Sequence, residues 1–225
     1  MKDIRHISLF PSVLFALALA VAPGSSAAQR STIIPPDVAA ELTGQTYGEW
    51  SATFWQYVLS FPASTNPLLD ATGAKCAQRQ SGNVFFLVGS FVGPVIRDEC
   101  RVPAGRVLFF PLVNIIDVNV ASQTADELFA EIEPIEDAAS DLHASIDGVA
   151  LGIAKRGFRA KSPAFELDLR GQNLFGLPPG TYSPAVADGY YLMLAPLPAG
   201  PHTVAFGGTD GTGFVQDIVY ELVVE

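Results

Sequence analysis

Between Thr46 and Pro62 the apolar positions Trp50, Phe54, Tyr57, Val58 and Phe61 recur with the period of a helix that buries one face. Thr46 and Glu49 stand at the spacing where each side chain satisfies the other's backbone N–H, so the helix starts there, and Pro62 stops it. Trp55 falls off the centre of this stripe. A second such pair, Thr124 with Glu127, opens an acidic stretch in which Leu128, Ile132, Ile135 and Leu142 keep helical spacing. Pro134 has no N–H to give a helix interior and predicts a division of this stretch into two short helices.

Elsewhere the period is two, or the run is apolar throughout. Residues 84–88 are five apolar positions between Gly82 and Gly89, the pattern of a strand covered on both faces. Residues 95–102 and 106–113 follow as strands joined by the Pro103-Ala104-Gly105 turn. The run 107–120 is interrupted by Pro111, Asn114, Asp117 and Asn119, which predicts a buried strand and its exit loop, not a membrane span. Asp147-Gly148, between apolar residues 144–146 and 149–153, is a two-residue hairpin signal. Phe165, Leu167 and Leu169 alternate with Glu166, Asp168 and Arg170, so one face of that strand meets water. Strands over 190–195, 202–206 and 214–224 complete the set.

Strands about ten residues apart, with few helices, predict a mainly β fold: an antiparallel β-sandwich with a few short helices. A jelly roll or a partly open barrel would show the same local pattern, because periodicity does not encode strand order. Residues 29–225 read as one such domain with a helical segment at its front.

Residues 1–28 read as a signal peptide: Lys2 and Arg5 precede the apolar stretch 9–21, and Ser26-Ala27-Ala28 supplies small residues for cleavage before Gln29. The apolar stretch is too short, and too close to Pro23-Gly24, for a stable span. The expected mature chain is therefore secreted or periplasmic, without a transmembrane segment. Taking Lys2, Arg5 and Asp3 from the 13 basic and 23 acidic residues leaves 11 and 22, a net charge of −11 that repels nucleic-acid backbones. Cys76 and Cys100 are the whole cysteine inventory, and in an oxidising compartment they predict a disulfide. Closing a loop of about 25 residues stabilises by roughly 3 to 4 kcal/mol in the chain-entropy model.

The stretch Thr46-Tyr47-Gly48-Glu49-Trp50-Ser51 with Phe54-Trp55-Gln56-Tyr57, then Asn66-Pro67-Leu68-Leu69-Asp70 with Gly73 and Cys76, Val102-Pro103-Ala104-Gly105 with Phe109-Phe110-Pro111, and Ala187-Asp188-Gly189-Tyr190 resembles a group of exported bacterial proteins of unassigned function. The resemblance covers most of the mature chain. It implies a bacterial origin, a Trp-rich N-terminal helix and a predominantly β domain, and no activity.

No motif carries catalytic spacing. Gly89-Ser90-Phe91-Val92-Gly93 has Val88 where a nucleophile elbow needs its first glycine. His143 and His202 are too few for a three-histidine zinc site and read as surface residues. Glu166 with Asp168, and Asp217 with Glu221, supply paired carboxylates of the kind a glycosidase uses at a defined separation. Glu127, Glu131, Glu133, Glu136, Asp137 and Asp141 read as a solvated helix face. The basic run Lys155, Arg156, Arg159 and Lys161 could pair with that face or hold an acidic ligand.

Trp55, Tyr57, Tyr182 and Tyr191 are the rings least committed to an apolar stripe, hence candidates for stacking on a sugar, with core packing as the alternative. Pairing Ala195 with His202 in a hairpin of 190–195 and 202–206 sets Asp188 across from Thr209 and close to Asp210. Oxygen ligands there would suit Ca²⁺, while ordinary Asp-Gly turn chemistry is the competing reading. The function expected is an exported binding or envelope-associated module with an extracellular ligand, a glycan among the candidates. The alternatives are a secreted glycosidase-like hydrolase and a structural or self-associating extracellular protein.

Overall fold

The computed structural model describes residues 33–153 and 155–225, apart from the side chain of Arg156; residues 1–28, with the signal peptide expected there, lie outside the described residues. Among the described residues no helix is long and apolar enough to cross a membrane.

In chain order the strands are β1 (Val84–Phe86), β2 (Val95–Arg97), β3 (Arg101–Val102), β4 (Val107–Val118), β5 (Ser140–Ile146) and β6 (Val149–Ala150). They continue with β7 (Arg159–Lys161), β8 (Phe165–Leu169), β9 (Gly180–Leu194), β10 (Gly200–Thr209) and β11 (Val215–Val224). The helices are α1 (Pro36–Thr43), α2 (Tyr47–Leu59) and α3 (Ala125–Asp137). One sheet runs β1-β4-β9-β7, with β8 also on β9; the other runs β2-β11-β10-β5-β6, with β3 also on β11. The fold is mainly β as expected, but the sheets are mixed, not purely antiparallel. β1 lies parallel to β4, and β2 and β3 lie parallel to β11. The chain leaves β1 for the other sheet and returns to β4, so the two strands enter side by side in the same direction.

Alternation explains the layers. Tyr190, Leu192 and Leu194 of β9 and Leu108 and Phe110 of β4 face Val204, Phe206, Ile218 and Tyr220 of the second sheet. The rings of Phe110 and Phe206 lie 4.5 Å apart. Each such buried side chain is worth about 1.5–3 kcal/mol of transfer free energy. The opposite face of the first sheet, with Phe109, Tyr191 and Met193, is covered by Tyr47, Phe54, Trp55 and Val58 of α2. The first sheet is therefore a middle layer, buried on both sides, and β1 is apolar throughout for that reason.

The Thr46–Glu49 capping box is present at the start of α2. Its buried stripe, however, is centred on Ser51, Trp55 and Val58, leaving Trp50 and Tyr57 half-buried at the margins. Gly48 is the reason α2 can lie so close: a Cβ there would collide with the Lys161 carbonyl of β7. α3 is a single helix, not two, because Pro134 falls in its last turn and removes only one hydrogen bond. Leu142, expected on a helix, lies on β5. Leu128 and Ile132 of α3 pack on Val186, which shares a β9 face with Asp188 and Tyr190, so α3 extends the layer that the second sheet begins.

Three strand expectations change. Residues 95–102 form two strands, because Glu99 N–H donates to the Thr72 carbonyl at 3.0 Å instead of to a neighbour strand. β4 runs past Asn114 and Asp117 to Val118, paired with β9 through a bulge at Leu112. The hairpin of 190–195 with 202–206 does not form. β9 pairs with β4, placing Asp188 opposite Ile115, while β10 pairs with β5 and with β11, placing Thr209 opposite Val215. The Asp147-Gly148 hairpin does form, with Ile146 opposite Val149.

The Cys76–Cys100 disulfide is present, with a Cα–Cα distance of 5.6 Å. It ties the loop after Asp70 against the β2/β3 margin of the second sheet. Beneath that loop Arg97 is fully buried. Its Nε donates to Asp70 O (2.8 Å), Nη2 to Pro67 O (3.1 Å) and Gly89 O (2.9 Å), and Nη1 to Val88 O (2.8 Å) and the Tyr220 hydroxyl.

Candidate functional site

Charged side chains converge where the C-terminal end of α3 meets β7 and β9. Asp188 is fully buried on β9, and Arg159 of β7 grips both its oxygens, Nε to Oδ1 at 3.0 Å and Nη2 to Oδ2 at 2.7 Å. Such a fork is rigid and strong because two charge-assisted bonds share one plane. The same Nη2 reaches the Glu133 carbonyl at 3.1 Å, and Nη1 donates to the carboxylate of Asp137. The Asp188 contact raises the guanidinium's affinity for its proton, and the Arg159 contact holds the Asp137 carboxyl below its ordinary range. Lys155 donates to the Asp137 carbonyl at 3.0 Å and to that of Ala139, a cation at a helix C-terminus where the peptide dipoles favour it. Lys161 pairs with Glu133. Lys155, Arg159 and Lys161 of the basic run thus do face the acidic helix, as one sequence reading expected.

Glu136 departs from that reading. Leu128, Ile132 and Glu136 follow one another at four-residue spacing, so the glutamate lies on the buried stripe of α3 and not on its solvated face. It is fully buried, and among the described residues neither carboxylate oxygen has a hydrogen-bond partner. Burial, and then the negative charges of Asp188 and Asp210, push its pKa up from 4.5 to about 8, against the pull of Arg159 and Lys155. At neutral pH it is a neutral acid. Above the cluster opens a pocket of about 620 Å³ lined by Asp137, Lys155, Arg159 and Tyr190. The Tyr190 hydroxyl donates to the Glu136 carbonyl at 3.3 Å, and Lys155 stands over its ring.

Asp188 on β9 and Asp210 just past β10 each place a negative charge that acts on Glu136, although β9 and β10 do not pair with each other. Gly211 N–H donates to the Ile135 carbonyl at 2.9 Å, pressing the β10–β11 loop onto α3. Both carboxylates are already engaged. Asp188 holds Arg159, and Asp210 Oδ1 accepts from Thr212 N (2.8 Å), the Thr212 hydroxyl (2.6 Å) and Phe214 N (3.0 Å). Among the described residues no group of three His, Cys, Asp or Glu side chains is placed to hold a metal ion.

The four aromatic candidates are dispersed. Trp55 and Tyr191 lie inside the helix–sheet core and present no ring face at the surface, a correction to the stacking expectation. Their position follows from the rotated stripe of α2 and from the inward alternation of β9. Trp55 Nε1, Tyr191 OH and Asn114 Nδ2 are buried without a hydrogen-bond partner among the described residues. Tyr57 is half-buried against Phe61 and Phe86, its hydroxyl on Gln78 O at 3.0 Å; Tyr182 is half-buried, its hydroxyl on Pro178 O at 2.9 Å.

The two carboxylate pairs lie on different sheets. Glu166 and Asp168 stand exposed on β8, where Asp168 accepts from the Thr181 hydroxyl at 2.6 Å, while Asp217 and Glu221 lie on the outer face of β11. His143 is exposed, 3.8 Å from Asp217. His202 pins the Asp147 turn, Nδ1 to Asp147 Oδ2 at 2.8 Å and Nε2 to Pro198 O at 2.9 Å; with Asp98 and Glu221 it borders a smaller pocket of about 310 Å³. Sequence reasoning missed Glu136, Tyr190 and Arg97. The continuation of the Leu128–Ile132 spacing into Glu136 was the available sign for the first.

No family model, no curated protein and no solved structure matches the chain, and its chemistry is read from its own residues.

Proposed function

We propose that the chain is an exported binding module and that its ligand contacts lie in the pocket at the end of α3. The observation that carries this reading is the pocket itself. Its volume of about 620 Å³ falls in the range of small-molecule sites, and its charged lining is anchored from below by the buried Asp188. A binding site needs polar groups whose positions are set before the ligand arrives, and the Arg159–Asp188 fork supplies that. Catalysis has less support. Glu136 has the raised pKa of a general acid, but it is fully buried and is not among the residues lining the pocket. The disulfide is compatible with an extracellular compartment.

The test is a glycan array on the purified mature protein, with released reducing sugar measured in parallel and contacts mapped by amide chemical shifts. Binding with shifts at residues 155–161 and 186–190 is expected. Release of reducing sugar would replace the reading with the hydrolase one. Shifts confined to Tyr57 or Tyr182 would move the site to the aromatic candidates.

A further inference from the structure

The two halves of the Arg159 guanidinium differ. Its Nε and Nη2 are locked on Asp188, a carboxylate with no exposure, whereas Nη1 is held by Asp137, whose side chain is 67% exposed. Asp137 is the last residue of α3 and lines the pocket. One donor of a rigid, preorganised fork is therefore occupied by a solvent-exposed group that a competing anion can replace.

We propose that a ligand carboxylate takes the place of the Asp137 carboxylate on Nη1 of Arg159, so that the pocket selects small organic acids of the hexuronate kind. This inference rests on the pocket being the ligand site. A carboxylate is the natural replacement because it has the charge and the oxygen geometry of the Asp137 group it displaces. Among the described side chains Lys161 is paired with Glu133, while Lys155, bonded to the neutral Asp137 and Ala139 carbonyls, keeps its charge beside the pocket. A single negative charge replaces Asp137 one for one. The volume suits a six-membered sugar ring with its substituents.

Asp137 is thus an internal competitor, and removing its charge strengthens binding. Isothermal titration of the mature protein with galacturonate, glucose and inorganic phosphate, on wild type and Asp137→Asn, tests this. Galacturonate is expected to bind both proteins, about ten-fold tighter to the variant, as one charge-assisted hydrogen bond freed from competition would give. Glucose and phosphate are expected to bind more weakly than galacturonate to both. The Arg159 Nε–Hε resonance should move on addition of galacturonate.

Equal binding of glucose and galacturonate with that resonance moving would overturn the carboxylate inference and leave the pocket as the ligand site. Galacturonate binding with the resonance unmoved would overturn both. A folded Asp137→Asn protein that binds galacturonate no tighter than wild type, or phosphate binding tighter than galacturonate, would overturn the exchange at Nη1. Circular dichroism of the variant secures the comparison, since an exposed terminal side chain is not needed for the fold.

Discussion

Replacing Glu136 by Gln should abolish a steep dependence of stability on pH. In the unfolded chain this carboxyl titrates at its ordinary 4.5; in the folded protein burial beside Asp188 and Asp210 moves it to about 8. Between those values the folded state keeps a proton that the unfolded state has released, so stability falls as pH rises. The slope for one such group is about 1.4 kcal/mol per pH unit, and the full separation is worth about 5 kcal/mol, a large part of a typical domain's total. The sign is opposite to that of a carboxylate stabilised by a partner: Glu136 contributes most below pH 4.5, and its contribution is gone above about 8. Gln cannot ionise and leaves the other titrating groups in place, so the difference between the two proteins isolates this residue. Urea unfolding followed by tryptophan fluorescence, at half-unit steps of pH, measures it. The wild type should lose stability relative to Glu136→Gln across the window and then run parallel to it. A difference that stays constant from pH 5 to 9 would refute the buried, unpartnered acid.

Three further outcomes follow from the fold. Thr124→Ala removes the side chain that accepts from Glu127 N–H at 3.3 Å and should cost about 1 kcal/mol, read as a melting temperature about 2–4 °C lower; an unchanged melt would mean that packing on Val186 alone holds the start of α3. Converting Cys76 and Cys100 together to Ser should lower stability by roughly 3 kcal/mol in the chain-entropy model, seen as an earlier urea midpoint, and an unmoved midpoint would sink the bridge as a stabiliser. Arg97→Met removes five hydrogen bonds, leaving the Asp70 and Gly89 carbonyls without a donor while Val88 O keeps the Tyr220 hydroxyl and Pro67 O keeps Asp70 N–H, and should cost about 3 kcal/mol or more; a variant as stable as the wild type would show that the guanidinium's burial cancels its bonds.

What was legible beforehand is what neighbours in sequence decide. The Thr46–Glu49 and Thr124–Glu127 boxes, the Asp147-Gly148 turn and the alternation from Phe165 to Leu169 each rest on residues at most four apart, and each is present in the structure. The cysteine pair needed only a count and a compartment. The site was not legible in the same way. Asp188-Gly189 reads locally as a turn, yet it sits inside a fifteen-residue strand because β4 pairs with it from seventy residues away. Arg159 meets Asp188 only after β7 joins the same sheet. Glu136 was misplaced for a different reason: with Ile135 beside it, the stripe of α3 could be drawn through either residue, and only the packing of Val186 and Asp188 decides which one points inward.

Arg97 binds three parts of the molecule at once, adding to the direct bonds of Val88 with Tyr220 and of Phe91 with Leu68. Its five N–H groups are divided among the segment Pro67–Asp70, the end of the first sheet at Val88 and Gly89, and Tyr220 in the middle of the second sheet. If any one segment opened alone, a fully desolvated cation would lose part of its solvation while remaining buried, which raises the free energy of every partial opening. Small fluctuations that would release the 67–70 segment or the 88–89 turn separately are thereby suppressed, and the three become one cooperative unit. In hydrogen exchange, amides near Leu68, Val88 and Tyr220 should then share a single opening free energy, close to that of global unfolding, although they belong to three different elements.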